Sequence, residues 1–201
     1  MGEGLIVRKV KSFSFYDDFH SSSGWNQYNG SFNFAKNALT PNTRPSAGTL
    51  RPTDNRCCDM EKSVAGLLNG DFAINLKFKF LNATANRMGA VSIALRNGTT
   101  NKLVISCNDG WAGVVQSQFG VIDGVTTLYT TGPATTFNSF YGDVTIKREN
   151  GKLSVLKDGT PLASDIDFAK AIDFNNIIIE FAGNDTYPAP TMQIDYLVIR
   201  G

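Results

Sequence analysis

Apolar and polar residues alternate with a period of two along many short segments of the chain. The clearest is segment 71–81, in which every second residue is apolar: Phe72, Ile74, Leu76, Phe78 and Phe80. This alternation is typical of a strand buried on one face, because successive side chains of a strand point to opposite sides. Similar segments recur roughly every 8–12 residues from residue 64 onward, and this spacing predicts a protein made mostly of strands.

Segment 143–162 predicts a three-stranded meander. Asn150-Gly151 favours a type I′ turn, which needs positive φ at both central residues, and Asp158-Gly159 offers a second turn. The core-facing residues of the hairpin would be Val144, Ile146, Leu153 and Val155. The predicted cross-strand pairs are Glu149 with Lys152, Arg148 with Leu153, Ile146 with Val155, and Leu162 with Val155.

The whole pattern predicts an all-β fold, a two-sheet antiparallel β-sandwich of the jelly-roll type. Asn-Gly or Asp-Gly pairs mark turns at positions 29, 69, 97, 109, 123, 150 and 158. Residues 165–174 form the only segment with a helical pattern, and they predict one short helix. We expect a single domain over residues 13–201, preceded by an N-terminal arm or edge strand at residues 1–12. Residues 36–63 read as a long connection.

Composition excludes several classes of protein. The 201 residues carry a net charge of +1, which argues against binding to nucleic acid through a basic patch. The N-terminus has no apolar run of the kind a signal peptide needs, and no segment approaches the length of a membrane span. Three cysteines, Cys57, Cys58 and Cys107, suit a chain that folds in a reducing cytoplasm without disulfides. Because no segment has the length of a membrane span, we expect no membrane insertion.

Three features together resemble a known family. They are Phe15 followed by Asp17-Asp18-Phe19 and Trp25, the meander at 143–162, and Asp195-Tyr196 in the last strand. Over most of residues 13–201 the chain resembles the concanavalin A-like lectin/glucanase jelly rolls, especially their laminin-G-like and laminarinase-type members. The resemblance implies two curved sheets with adjacent first and last strands. It also implies a ligand groove on the concave face or in the rim loops.

The resemblance also implies a structural calcium. In laminarinase-type members an Asp of the last strand helps to hold this ion, and Asp195 matches that position, with Asp18 and Gly48 as looser matches. Calcium favours carboxylate and carbonyl oxygens. The alternative is that Asp195 only accepts hydrogen bonds from loop amides at the sheet edge. No cofactor is otherwise required.

The catalytic motif of the related glycosidases is missing. Those enzymes carry E-x-D-x-x-E on one strand, whereas this chain has four separate glutamates: Glu3, Glu61, Glu149 and Glu180. The pair Asp165 and Asp167 precedes the expected helix, where it would act as an N-terminal cap. His20, the only histidine, has no Ser or Cys motif beside it. The sequence therefore predicts a non-catalytic protein.

Candidate binding residues combine an aromatic ring with planar polar side chains, a combination that suits the apolar faces and hydroxyl rim of a sugar. One cluster joins Trp111, Asn108 and Asp109 to Gln116 and Gln118 of the next strand, with Arg96 expected beside them from the preceding strand. A second cluster pairs Trp25 with Tyr28. The alternative for each aromatic residue is burial at a sandwich edge, where it would serve packing alone.

Three functions stay open at this point. The favoured one is a lectin-like module that binds a glycan or cell-surface polysaccharide within a larger assembly, such as the surface of a phage virion. Residues 1–12 and 36–63 would then contact the other assembly proteins. The second is a purely structural decoration or tail protein, and the third, which the missing carboxylate motif disfavours, is a glycan hydrolase or lyase.

Overall fold

A computed structural model describes residues 13–28, 30–41, 57–81, 89–111, 114–124, 126–130, 142–183 and 191–201. Within these ranges the chain forms fifteen strands. In chain order they are β1 (Ser14–Asp17), β2 (Asn26–Tyr28), β3 (Phe32–Ala35), β4 (Ala38–Pro41), β5 (Cys57–Leu68), β6 (Phe72–Leu81), β7 (Gly89–Asn97), β8 (Thr100–Trp111), β9 (Val114–Asp123), β10 (Thr126–Thr130), β11 (Gly142–Glu149), β12 (Lys152–Lys157), β13 (Thr160–Asp167), β14 (Ile172–Gly183) and β15 (Thr191–Arg200).

The strands form two antiparallel sheets. The eight-stranded sheet has the order β13-β12-β11-β6-β15-β4-β3, with β1 also paired to β15. The seven-stranded sheet has the order β10-β9-β8-β7-β14-β5-β2. The predicted all-β sandwich is therefore confirmed. The described residues contain no helix with the length and hydropathy of a membrane span.

The core lies between the two sheets and follows the period-two alternation of the strands. In β6, Ile74, Leu76 and Phe78 are at most 1% exposed, as the pattern of segment 71–81 predicts. From the seven-stranded sheet, β14 contributes Ile179 and Phe181, both fully buried. Burial of a large apolar side chain stabilises the fold by about 1.5–3 kcal/mol, so this shared core holds the sheets together.

The meander follows the sequence-based prediction closely. Asn150 and Gly151 have φ values of 51° and 74°, as a type I′ turn requires. Three predicted pairs are confirmed, namely Glu149 with Lys152, Arg148 with Leu153, and Ile146 with Val155. The fourth is wrong by one residue, because Val155 pairs with Ala163 instead of Leu162. Irregularities in the β12–β13 register on either side of this pair account for the shift.

The predicted helix at residues 165–174 is wrong. Residues up to Asp167 belong to β13, and β14 begins at Ile172. Asp165 is no helix cap either, because it lies within β13 with a φ of 60°. Phe168, Ile172 and Phe174 are all buried. Their spacing also fits a helix, but residues up to Asp167 pair with β12 and residues from Ile172 pair with β5, and this pairing with distant segments determines the structure.

The first and last described strands are neighbours, as the resemblance implies. β1 pairs with the end of β15 from Ser14 opposite Arg200 to Asp17 opposite Leu197. The amide of Gly201 also donates to the carbonyl oxygen of Phe13 at 2.9 Å. The expected arm at residues 1–12 and residues 42–56 lie outside the described residues. The prediction of a long connection over 36–63 is wrong at both of its ends, because β4 occupies Ala38–Pro41 and β5 begins at Cys57.

Candidate functional site

One face of the seven-stranded sheet points away from the core, and alternation identifies its residues. In β5, Cys58 and Met60 are fully buried in the core, so Asp59 between them faces outward. In β14, Glu180 lies between the core residues Ile179 and Phe181 and therefore also faces outward. The same argument places Ser92 and Ser106 on this outer face.

The strand register aligns these residues across the sheet. Tyr28 of β2 lies opposite Asp59, and Asp59 lies opposite Glu180. Glu180 is in turn opposite Ser92, which is opposite Ser106. We call this set the polar row: Tyr28, Asp59, Glu180, Ser92 and Ser106. It crosses five strands and is built from segments far apart in the sequence.

The polar row combines an aromatic ring, two carboxyl groups and two hydroxyl groups. Tyr28 is 46% exposed at the outer end of the row, whereas Asp59 is only 2% exposed. Directly opposite residues of an antiparallel pair have Cβ atoms about 4.5–5.5 Å apart, which brings the Asp59 and Glu180 side chains together. Gly120 of β9 continues the row beside Ser106.

An apolar strip runs parallel to the polar row on the same face. Ile178 lies opposite Ala94, which lies opposite Val104, and Val104 lies opposite Ile122. Ile178 and Ala94 are each 6% exposed, although neither belongs to the cluster between the sheets. Asp59, Ile178 and Ala94 are therefore covered on this face, and a ligand could reach Tyr28 and the half-buried members of the two rows: Glu180, Ser92, Ser106, Val104 and Ile122.

The predicted cluster around Trp111 belongs to the same sheet. Asn108 of β8 lies opposite Gln118 of β9, two residues along from Ser106 and Gly120, or about 7 Å. Asp109 lies opposite Ser117, and Trp111 opposite Val114, with a register shift between them. Gln116 is also in β9. The strand register thus brings the backbone of this cluster next to the polar row. The side chains of the cluster are not among those that the structure describes.

Arg96 does not lie beside the Trp111 cluster, so that part of the prediction is corrected. In the β7–β8 hairpin Arg96 pairs with Asn101 close to the turn, and its Nε donates to Asn101 Oδ1 at 2.9 Å. Asn108 is seven residues further along β8, about 23 Å away along the strand. Because the hairpin is antiparallel, the end of β7 meets the beginning of β8 and not its end.

Trp25 is buried, which separates it from its predicted partner Tyr28. The indole is 6% exposed, packs against Phe19 at a centroid distance of 6.0 Å, and donates from Nε1 to Asp17 Oδ2 at 2.9 Å. Asp17 also accepts from Lys62 Nζ at 3.0 Å. Trp25 thus has the packing role that the sequence left as its alternative, and of the two aromatic residues only Tyr28 reaches the surface.

Solved structures place this geometry in a known fold. The chain resembles the CBM2 module of the evolved Dit of Lactobacillus casei BL23 phage J-1, with a TM-score of 0.70, 13% identity and coverage of 95% of this chain and 97% of that one. It also resembles the Emp47p carbohydrate recognition domain, with a TM-score of 0.63, 10% identity and coverage of 92% and 93%. The endo-β-1,3-glucanase of Pyrococcus furiosus matches with a TM-score of 0.60, 13% identity and coverage of 93% of each chain.

The chain has the concanavalin A-like lectin/glucanase fold. No protein-family model and no curated protein sequence matches it. At 10–13% identity these likenesses establish the fold alone. The concanavalin A-like fold is shared by lectins, carbohydrate-binding modules and glycosidases, so the fold by itself does not decide between binding and catalysis.

The calcium site that the resemblance implies is not formed by the described residues. Asp195 is 9% exposed, and its Oδ1 accepts a hydrogen bond from Gln193 Nε2, which also donates to the carbonyl oxygen of Asn37 at 3.2 Å. The ammonium of Lys79 lies 3.9 Å from Asp195 Oδ2. Calcium needs six to eight oxygen ligands, whereas the described neighbours of this carboxylate are nitrogen donors.

Asp18, a looser match to the calcium site, is engaged by His20 instead. Its Oδ1 accepts from the amide and Nδ1 of His20, and the hydrogen bond from the His20 side chain lowers the pKa of the Asp18 carboxyl. Among the described residues no group of three His, Cys, Asp or Glu side chains could hold a metal. Gly48 lies outside the described residues. Asp195 accepts its hydrogen bond from the side chain of Gln193 and not from a loop amide, and the calcium prediction stays a prediction.

The sequence-based search for binding residues missed the central pair of the polar row. Glu180 was visible as a lone charge within the apolar stretch NIIIEFA, and Asp59 as a charge between Cys58 and Met60. What could not be seen was that the two face each other, because β5 and β14 are more than 100 residues apart in the sequence. In a sequence, such a position can be recognised as a charged residue within a strand that is apolar on both faces.

Proposed function

We propose that the protein is a non-catalytic, lectin-like module that binds glycans on the outer face of its seven-stranded sheet. The observation that carries the proposal is the polar row, in which Tyr28 is exposed at one end and half-buried Glu180 lies in the middle, opposite the buried Asp59. The fold, which is shared with lectins and carbohydrate-binding modules, supports the same function.

The chemistry of a pyranose suits this surface. Carboxylate oxygens accept hydrogen bonds from neighbouring sugar hydroxyls, and such charge-assisted bonds are about twice as strong as neutral ones. Val104 and Ile122, the half-buried members of the apolar strip, can contact the C–H face of the ring, and the phenol of Tyr28 can stack on a second ring. Because Asp59 and Glu180 give the row negative charge, we expect neutral or cationic sugars to bind better than uronates or phosphorylated glycans.

A place in a larger assembly is the second part of the proposal. The similar CBM2 module belongs to the Dit protein of a phage, which supports a role at a virion surface after synthesis in a reducing cytoplasm. Cys58 and Cys107 are both fully buried thiols, consistent with such folding. Residues 1–12 and the part of 36–63 between β4 and β5 are the segments that we propose contact other assembly proteins.

A printed glycan array tests the binding proposal. The wild-type protein should retain a neutral or amino-sugar glycan, and Tyr28→Ala and Glu180→Gln should each weaken that signal about tenfold or more. Tyr16→Ala is the matched control, because Tyr16 is 64% exposed on the outer face of the other sheet. Trp111→Ala examines the adjacent predicted cluster. Retention of no glycan by a folded, assembling protein would favour the purely structural alternative instead.

Absence of catalysis is tested separately, because the Asp59–Glu180 pair is a specific reason to consider a hydrolase. Retaining glycosidases place two carboxyl groups about 5–5.5 Å apart, close to the separation of opposite residues in a sheet. We expect no release of reducing ends when the protein is incubated with soluble β-1,3-glucan. Release that disappears in Glu180→Gln would overturn the non-catalytic assignment.

A further inference from the structure

The strand that carries Tyr28 is too short to hold its own position. β2 has three residues, lies at the edge of the seven-stranded sheet, and exposes all three side chains. Among the described strands it pairs only with β5, from Asn26 opposite Glu61 to Tyr28 opposite Asp59. So short an edge strand gains little from its ladder, and other contacts must keep Tyr28 beside Asp59.

A group of hydrogen-bonded side chains lies beside the start of this strand. Asp17 is 9% exposed and accepts three hydrogen bonds, from the amide of Phe19 at 2.8 Å, from Trp25 Nε1 at 2.9 Å and from Lys62 Nζ at 3.0 Å. Lys62 Nζ also donates to the carbonyl oxygen of Ser23 at 3.2 Å. We call Asp17, Trp25 and Lys62 the anchor.

The anchor connects three parts of the fold. Asp17 belongs to β1 in the eight-stranded sheet, Lys62 to β5 in the seven-stranded sheet, and Trp25 immediately precedes β2. The ammonium of Lys62 lies 5.3 Å from the Trp25 ring centroid, within the range of a cation–π contact. These contacts are charge-assisted and partly buried, so they restrain the start of β2 in addition to its ladder.

We infer that the anchor sets the position of Tyr28, so that Asp17, Trp25 and Lys62 are positioning residues for glycan binding without touching the glycan. On the other side of β2, the amide of Phe32 donates to Gln27 Oε1 at 2.9 Å. β2 is thus restrained at its beginning by the anchor and in its middle by Gln27. The functional half of this inference, glycan binding, rests on the proposed function. Its geometric half, the position of β2, rests on the hydrogen bonds alone.

Lys62→Met tests the inference, because it removes the ammonium and keeps the aliphatic stem. Amide hydrogen exchange of residues 26–28 should become about tenfold faster, while exchange in β6 and β11 stays unchanged. On the printed glycan array the variant should lose most of the signal that Tyr28→Ala loses. Lys62→Arg, which restores a cation, should recover part of the protection from hydrogen exchange and part of the glycan signal. The matched control is Lys77→Met, since Lys77 is ion-paired at 3.5 Å with Asp143 and is 29% exposed, against 24% for Lys62.

A double variant distinguishes positioning from a general loss of stability. In the Tyr28→Ala background, Lys62→Met should weaken glycan retention no further, because there is no phenol left to position. The inference would be overturned if the two substitutions together multiplied their losses of glycan retention. It would also be overturned if Lys62→Met lowered the melting temperature while hydrogen exchange at residues 26–28 stayed unchanged. Should Lys62→Met not fold, Trp25→Phe removes the indole N–H together with part of the ring and should show the same pattern more weakly.

Failure of the proposed function would be recognised separately. A wild-type protein that retains no glycan disproves glycan binding and, with it, the functional half of the inference. Hydrogen exchange at residues 26–28 would still decide whether the anchor holds β2. Unchanged exchange in Lys62→Met would disprove the geometric half, even if the wild-type protein bound glycans.

Discussion

At the scale of single residues, Gly142 is a position at which the fold depends on the lack of a side chain. Its φ is 147°, and a Cβ added there would lie 2.5 Å from Asp158 Oδ1. That carboxylate accepts a hydrogen bond from the amide of Asp143 at 2.9 Å. A side chain at residue 142 would therefore strain the backbone and displace the partner of the next amide.

Gly142→Ala should lower the free energy of unfolding by about 2–4 kcal/mol, combining backbone strain with the lost hydrogen bond. Urea denaturation measures the change. Gly70→Ala is the control, because a Cβ there meets no heavy atom within 4 Å, and it should change stability by less than about 0.5 kcal/mol. Equal effects of the two substitutions would show that the Asp158 contact is unimportant.

Tyr196 links stability to high pH. Burial, and after it the hydrogen bond that Tyr196 donates to Asp143, raises the pKa of its hydroxyl far above the usual value of 10.0. The folded state thus favours the neutral phenol more than the unfolded state does. This contribution is complete below about pH 10 and is lost progressively as pH rises above that value.

We expect the urea midpoint of the wild-type protein to fall between about pH 9.5 and 11.5 more steeply than that of Tyr196→Phe. The variant has no hydroxyl to ionise at this position, so this part of the pH dependence should disappear. At neutral pH the variant should be slightly less stable, since it lacks the bond to Asp143. Parallel pH profiles for the two proteins would contradict the assignment.

At the scale of elements, local signals predicted the β11–β12 hairpin and failed at the connection between β13 and β14. Asn150-Gly151 specifies its turn within two residues, so three cross-strand pairs could be derived correctly. Residues 168–171 have no comparable local signal. Their conformation depends on Arg148, whose Nη1 and Nη2 donate to the carbonyl oxygens of Lys170 and Ala169 at 3.0 and 3.1 Å. A contact across 20 residues cannot be derived from periodicity.

Arg148→Met should loosen this connection. The arginine is 6% exposed and its guanidinium lies 6.0 Å from the Phe168 ring centroid, so methionine keeps part of the packing but neither hydrogen bond. We expect a loss of about 1.5–3 kcal/mol in the free energy of unfolding, with faster hydrogen exchange at residues 168–171. Lys147→Met, at an exposed neighbour, should have little effect on either measurement.

At the scale of the whole molecule, the sequence predicted the architecture better than the site. Strand patterns and turns are local, and they sufficed for two antiparallel sheets and for the concanavalin A-like fold. The polar row instead depends on which strands become neighbours. Tyr28 was recognised as a candidate, but paired with buried Trp25 instead of with Asp59, because only the register of β2 on β5 brings that carboxylate beside it.

β1 also pairs with a segment that is distant in the sequence, so its removal tests the stability of the whole fold. Its four residues cover the end of β15 from Leu197 to Arg200, and its last residue, Asp17, supplies the acceptor for Trp25 and Lys62. A chain without residues 1–17 therefore loses one strand of the eight-stranded sheet and also the carboxylate that joins this sheet to β5. Lys62 would then be left without its carboxylate partner among the described residues.

We expect deletion of residues 1–17 to lower the melting temperature by about 10 °C or more, since several kcal/mol of pairing and charge-assisted bonding are lost together. Deletion of residues 1–12, which keeps β1, should leave the melting temperature nearly unchanged. Light scattering on the shorter deletion also tests assembly, because a segment that contacts partner chains should reduce the oligomer when it is removed. If both deletions melt alike, then β1 does not stabilise the sandwich, and the anchor must be held by β5 and the residues around Trp25 alone.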